Sequence, residues 1–181
     1  GVITVVAGMM MILQRKININ DKIIISDSFN LNSIGGIAKF VKKVILLTFI
    51  IELAGALLYM IVFVPEFGIK GIWVSVFTSV SAFCNAGIDI ISENSLCGYT
   101  LNPIINLTTI ILIILGGIGF VVLFDLIKLI GNKKRKEVKF LSLHSKIALS
   151  FTGFLIFSGT VLILIFEYNN PLTMAGCSIW D

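Results

Sequence analysis

Residues 70–83 are an apolar stretch too short to cross a membrane, and they run into Cys-Asn-Ala-Gly-Ile-Asp at residues 84–89. At about 1.5 Å per residue, a helix over this stretch reaches roughly 20 Å, short of a hydrocarbon core of about 30 Å. Backbone that is neither helix nor closed barrel is tolerated at membrane depth only where it is buried in protein or lines an aqueous path. The segment therefore has to dip in, turn and leave on the side it entered. Such a turn needs a chemical reason to be there.

Composition places the surroundings in a membrane. Of 181 residues, 57% are hydrophobic and 13% charged, with mean hydropathy +1.04. Soluble domains average about 45–50% and about 25%. Residues 44–64 make a full span, 104–130 a long span and 144–168 a further one. Residues 1–13 read as the second helix of a preceding unit, and 169–181 as the start of an outer segment. The chain opens at Gly1 inside an apolar run and closes on "AGCSIWD", so a segment of a longer protein is expected. "GVITVVAGMMMIL" lacks the basic start of a signal peptide and is followed by "QRK" rather than a cleavage site.

Charge sets the orientation. Segment 14–43 carries Arg15, Lys16, Lys22, Lys39, Lys42 and Lys43, and reads as a basic connector at the cytoplasmic interface. Segment 131–143 carries the run "NKKRKE" and reads as a cytoplasmic loop. Between them, residues 65–103 carry Lys70 alone. The positive-inside rule puts both basic segments in the cytoplasm and 65–103 outside. A weak internal repeat agrees: Gly1 and Gly119 each open an apolar run that meets a basic residue fourteen positions later, at Arg15 and Lys133. The repeating unit is helix, half-helix loop, helix.

The polar turn suits a cation path. A half-helix over 70–83 points its C-terminus, the partially negative end, at the middle of the membrane. An extended strand over 84–88 then climbs back out, about 3.3 Å per residue. Such a strand can aim successive carbonyl oxygens along one axis, where they replace the hydration shell of a potassium ion. Cys84 to Ile88 is the candidate segment, and Ala86 and Gly87 add no bulk to it. Gly87 supplies the positive-φ geometry that turns its neighbours. Asp89, at the outer mouth, concentrates cations. A plain turn between two helices is the alternative reading of the same residues.

"SAFCNAGIDI", with "EFGIKGIW" before it and "NP" and "LGGIGFVVLFDLI" after it, resembles the Trk/Ktr/HKT superfamily of potassium transporters, most of all the membrane subunit of bacterial Ktr and Trk systems. "LSLHSKIALS" and "GTVLILIFEYNNP" resemble the start of that family's third repeat, so the likeness covers essentially the whole chain. It implies an all-α integral membrane fold, potassium-channel-like, with four helix–pore-loop–helix repeats around one pore. This chain would hold the end of the first repeat, all of the second and the first helix of the third. Each repeat gives a quarter of the filter; the resemblance implies that Cys84, Asn85, Ala86 and Gly87 are this chain's filter strand, with Gly87 its central glycine. Two departures stand out: Ile88 where members often have an aromatic, and Thr78 where many have histidine. Neither touches a carbonyl. The implied function is potassium uptake, with K+ as the transported ion, Na+ as the candidate coupling ion and no organic cofactor. The implied partners are the lipid bilayer, a second full-length chain and a cytoplasmic nucleotide-binding regulatory subunit, with no nucleic acid.

Other residues have plainer expectations. Glu52, inside a span, is expected to hydrogen-bond a neighbouring helix. Asp125 and Glu167 lie near helix ends and are read as interfacial or paired. Gly116, Gly117 and Gly119 form a small face for packing against the pore loop, with a hinge as the alternative. Cys97 and Cys177 are read as free thiols. A simple tetrameric potassium channel is the rival function. An intramembrane enzyme is disfavoured, because Cys84 is its one candidate nucleophile and His144 falls at the opposite end of the membrane.

Overall fold

The computed structural model describes residues 37–91, 95–132 and 141–168. The readings of 1–13, of most of 14–43, of the loop around 133–140, of 169–181 and of Cys177 lie outside the described residues. Regular structure among the described residues is all helical: α1 Ile37–Phe67, α2 Ile69–Phe83, a 3₁₀ turn Ser95–Tyr99, α3 Pro103–Ile118, α4 Phe120–Asn132 and α5 Leu143–Glu167. α1 and α5 are each long and apolar enough to cross a membrane, and α2 is a shorter apolar helix between spans.

α1 begins at Ile37, so the connector expected over 14–43 already helical by its last residues, and ends at Phe67. The chain reverses at Gly68, whose N–H bonds the Val64 carbonyl at 2.9 Å. α2 then packs back along α1. Its buried face is Gly71, Val74, Ser75, Thr78, Ser79, Ser81 and Phe83, a helical stripe of mostly small residues. Small side chains let helix backbones approach closely, and their hydroxyls must find partners where no water reaches. Ser75 gives its hydroxyl to the Gly71 carbonyl at 2.7 Å, and Ser79 gives its own to the Glu52 carbonyl of α1, also at 2.7 Å. This bond uses the backbone of Glu52 and not the side chain for which a partner was expected.

α3 starts where "NP" says it should. Asn102 accepts the N–H groups of Ile104 and Ile105 at 3.1 and 3.3 Å, and Pro103 occupies the first helical turn, where no N–H is missed. The core gathers Tyr59, Phe63, Val74, Phe83, Ile105 and Leu112 from three helices. Tyr59 stacks on Phe63 with ring centres 5.7 Å apart and shares a 2.6 Å hydrogen bond with Thr109. Thr109 donates to the Ile105 carbonyl, so Tyr59 is the donor in that pair.

The stretch expected as one span over 104–130 is two helices. α3 and α4 meet at 105°. The break is Gly119, with φ +94° and ψ +146°, a conformation that an L side chain strains to adopt. The hinge and packing readings of the glycine cluster are both realised, at different glycines: Gly119 turns the chain, while Gly116 sits against the end of α2. α4 is tied to α5 at the far side of the loop. Asp125 Oδ2 accepts from the hydroxyls of Ser142 and Ser145 at 2.5 and 2.7 Å, and its other oxygen lies 3.8 Å from the Lys128 ammonium.

Candidate functional site

The end of α2 builds the site. The Cys84 N–H bonds Val80, the Asn85 N–H bonds Ala82 at 3.1 Å and the Ala86 N–H reaches back to Ser81 at 2.9 Å. Asn85 has φ +53°. This is a Schellman cap: a residue in left-handed conformation after the helix end, with the two following amides turned back onto the last turn. Asparagine is the side chain that tolerates this conformation best after glycine. The segment expected to be extended from Cys84 is not so at its start, because Cys84 is still near helical (φ −75°, ψ −3°) and Asn85 is the left-handed cap.

Ser81 holds the outgoing strand. Its hydroxyl accepts the Ile88 N–H at 3.0 Å and donates to the Ile88 carbonyl at 2.5 Å. Between these anchors Gly87 has φ +67°, and a Cβ there would meet nothing within 4 Å. What restricts Gly87 is backbone conformation, not space. Asn85, whose amide reaches the Ile113 carbonyl of α3 at a long 3.4 Å, is exposed, as are Cys84, Ala86 and Gly87.

The amides of residues 84, 85, 86 and 88 are therefore all spent on α2. Among the described residues, no hydrogen bond uses the carbonyl oxygens of Cys84, Asn85, Ala86 or Gly87. Four acceptors without a partner among the described residues, on exposed backbone at the negative end of a helix, suit positive charge better than negative. Asp89 follows directly. One carboxylate oxygen accepts the Ile91 N–H at 3.2 Å, a local turn that fixes the acid at the strand's exit.

On its α3 side the strand backs onto a cavity of about 220 Å³, bordered by Thr78, Ser81, Gly87, Asp89, Thr109 and Ile113. The Thr78 hydroxyl is buried and makes no hydrogen bond among the described residues. Farther out, the Tyr99 phenol donates to the Glu66 carboxylate at 2.6 Å and packs edge-on against Phe63. Partial burial, together with Glu66 accepting the proton, pushes the Tyr99 phenol up to about 12.

The structure thus brings Cys84, Asn85, Ala86, Gly87 and Asp89 into one continuous turn and strand. One contributor, Ser81, is not singled out from sequence: a serine inside an apolar helix carries no signal that its hydroxyl will reach a residue seven positions on. Gly116, expected in the small face that packs against the pore loop, lies against the Phe83 carbonyl at the end of α2.

Residues 3–175 match the model of the TrkH family, described as a cation transport protein. The chain is 37% identical over 166 residues to the "Potassium/sodium uptake protein NtpJ" of Enterococcus hirae, covering 91% of this chain and 35% of that protein. It is 36% identical over 182 residues to the "Ktr system potassium uptake protein B" of Bacillus subtilis, covering 100% of this chain and 39% of that protein. The "Ktr system potassium uptake protein B" of Vibrio alginolyticus is 35% identical over 139 residues, 76% of this chain and 30% of that one. The chain spans well under half the length of each of these relatives.

Proposed function

The chain belongs to the TrkH family of cation transport proteins, and from that premise we propose that it supplies one complete helix–pore-loop–helix unit of a potassium uptake protein. The family is one of transporters rather than enzymes, and the chain is a multi-pass protein of the cell membrane. In the proposed unit, α1 is the outer helix, α2 the pore helix, residues 84–87 one quarter of the filter and α3 the inner helix. Asp89 attracts cations at the outer mouth. The observation that supports the reading is the one-sided use of the segment: the amides of 84, 85, 86 and 88 are taken by α2, while no hydrogen bond among the described residues uses the carbonyls of 84–87, which we assign to an ion.

Potassium is the proposed ion because the relatives' names carry it, and sodium is the proposed coupling ion because one of those names carries both. The proposed partners are a second full-length chain and a cytoplasmic nucleotide-binding subunit, with the basic run 132–137 facing the latter. A simple one-loop tetrameric channel accounts less well for α5, a further membrane-length helix beyond the completed unit.

Gly87→Ser in the full-length protein tests this. The substitution strains a left-handed backbone by about 1–2 kcal/mol. It moves the carbonyls on which potassium depends, so potassium-over-sodium discrimination falls more than total cation flux. Unchanged discrimination and unchanged potassium affinity in tracer uptake would show that Gly87 is no filter residue.

A further inference from the structure

Resting on the filter reading above, we propose that Ser81 is a positioning residue for ion selectivity, although it lies in the pore helix and offers no oxygen to the ion. Three hydrogen bonds join it to the strand. Its backbone carbonyl takes the Ala86 N–H at 2.9 Å. Its hydroxyl takes the Ile88 N–H at 3.0 Å and donates to the Ile88 carbonyl at 2.5 Å. Ala86 and Ile88 are the neighbours of Gly87 on either side. One residue therefore brackets the left-handed glycine and fixes the torsions that aim its carbonyl.

The side-chain pair has a second consequence. The Ile88 carbonyl is occupied by the Ser81 hydroxyl and is withdrawn from the row of free acceptors. The ion-facing row ends at Gly87, so its outer edge is set by Ser81 rather than by where the chain becomes solvated. Ser81 is 9% exposed and lies behind the segment, on the side of the cavity. Removing the hydroxyl takes from the Ile88 N–H and carbonyl the one protein group that holds both, and the peptide plane after Gly87 becomes free to rotate. Potassium discrimination depends on the arrangement of these oxygens, whereas conduction needs only that a path stays open.

The test uses Ser81→Ala, Ser81→Thr and Gly87→Ser in the full-length protein, with membrane abundance and potassium and sodium uptake measured for each. Ser81→Ala should lower potassium-over-sodium discrimination about tenfold, the scale of one or two lost hydrogen bonds, at near-normal total flux. Ser81→Thr, which keeps the hydroxyl, should retain the wild-type ratio. If Ser81→Ala fails to reach the membrane, Ser81→Cys carries the test, since it keeps the size and weakens both side-chain bonds. Its expected result is a smaller loss of discrimination. A wild-type ratio in Ser81→Ala, or in Ser81→Cys where that variant stands in, overturns the proposal. So does a Ser81→Thr protein as unselective as Ser81→Ala. Gly87→Ser separates the two readings: if it loses discrimination while the Ser81 variants keep it, the filter assignment stands and the Ser81 role falls. If all variants keep it, the filter assignment falls as well.

Discussion

Gly116 of α3 lies against the backbone carbonyl of Phe83, the last residue of α2, with no room between them for a side chain. A Cβ at Gly116 would collide with that oxygen and its carbon, both backbone atoms that cannot swing aside. The next residue differs: a Cβ at Gly117 would have only the Asn85 amide within reach, at 3.8 Å. Gly116→Ala should therefore destabilise by about 1–3 kcal/mol, the usual cost of overpacking, by pushing α2 and its cap outward. Gly117→Ala should stay within about 0.5 kcal/mol, as surface substitutions do. Thermal unfolding in detergent of the two variants side by side checks this. Equal loss in both would mean that the α2–α3 contact is not the tight one.

Tyr59 is fully buried, and its hydroxyl donates to Thr109 across the core. Tyr59→Phe keeps the stack on Phe63 and leaves Thr109 with its bond to Ile105. The expected cost is about 1 kcal/mol, the net worth of one neutral hydrogen bond, with ion selectivity unchanged. Tyr59→Ala also removes the ring and should cost about 3–5 kcal/mol. The difference between the two variants in unfolding midpoint is the measurement.

Titration of the outer rim has a definite sign. The Tyr99 phenol is raised from its ordinary 10 to about 12 by partial burial and by the Glu66 carboxylate. A group whose folded value is raised stabilises the fold fully below its unfolded value and loses that contribution as the pH climbs. The Tyr99–Glu66 tie should hold through neutral and mildly alkaline pH and weaken between about 10 and 12. Spectroscopic titration of tyrosinate, compared between the natural protein and Glu66→Gln, should show a late-ionising component that moves toward the ordinary range in the variant. No shift in that variant would remove Glu66 from the explanation.

Orientation can be read with thiol reagents. Cys97 is exposed in the 3₁₀ turn between α2 and α3. In a variant whose sole cysteine is Cys97, an impermeant reagent should label intact cells. A sole cysteine at position 132, made by Asn132→Cys, should react only after permeabilisation. The reverse pattern would place residues 84–89 on the cytoplasmic side and sink the uptake reading.

Much of the helical layout was open to inspection because it rests on one-dimensional signals. Apolar length marks α1 and α5, and the short run before "CNAG" marks α2, seen over Ile69–Phe83. "NP" marks the start of α3 through Asn102 and Pro103. The rest depends on contacts between residues far apart. Nothing in "LGGIGF" says which glycine packs and which bends; that is decided by where α2 ends, at Phe83, against Gly116. The strand from Cys84 was expected to be extended throughout, whereas a left-handed Asn85 closes the helix first. An asparagine just past an apolar helix is a C-cap signal, and in this stretch it competes with small residues that equally suit extended backbone.

The right-angle turn at Gly119 bears on how the protein is made. Residues 103–129 are apolar enough, taken together, to read as a single span. Insertion machinery responds to that local hydrophobicity while the segment emerges, before distant partners are in place. α3 and α4 are thus handed to the bilayer as one piece, and their separation belongs to the later stage in which inserted helices find each other. A Gly119→Ala chain would be threaded into the membrane with the same number of crossings as the natural one. It would differ only afterwards, in whether the piece already delivered can fold at its middle.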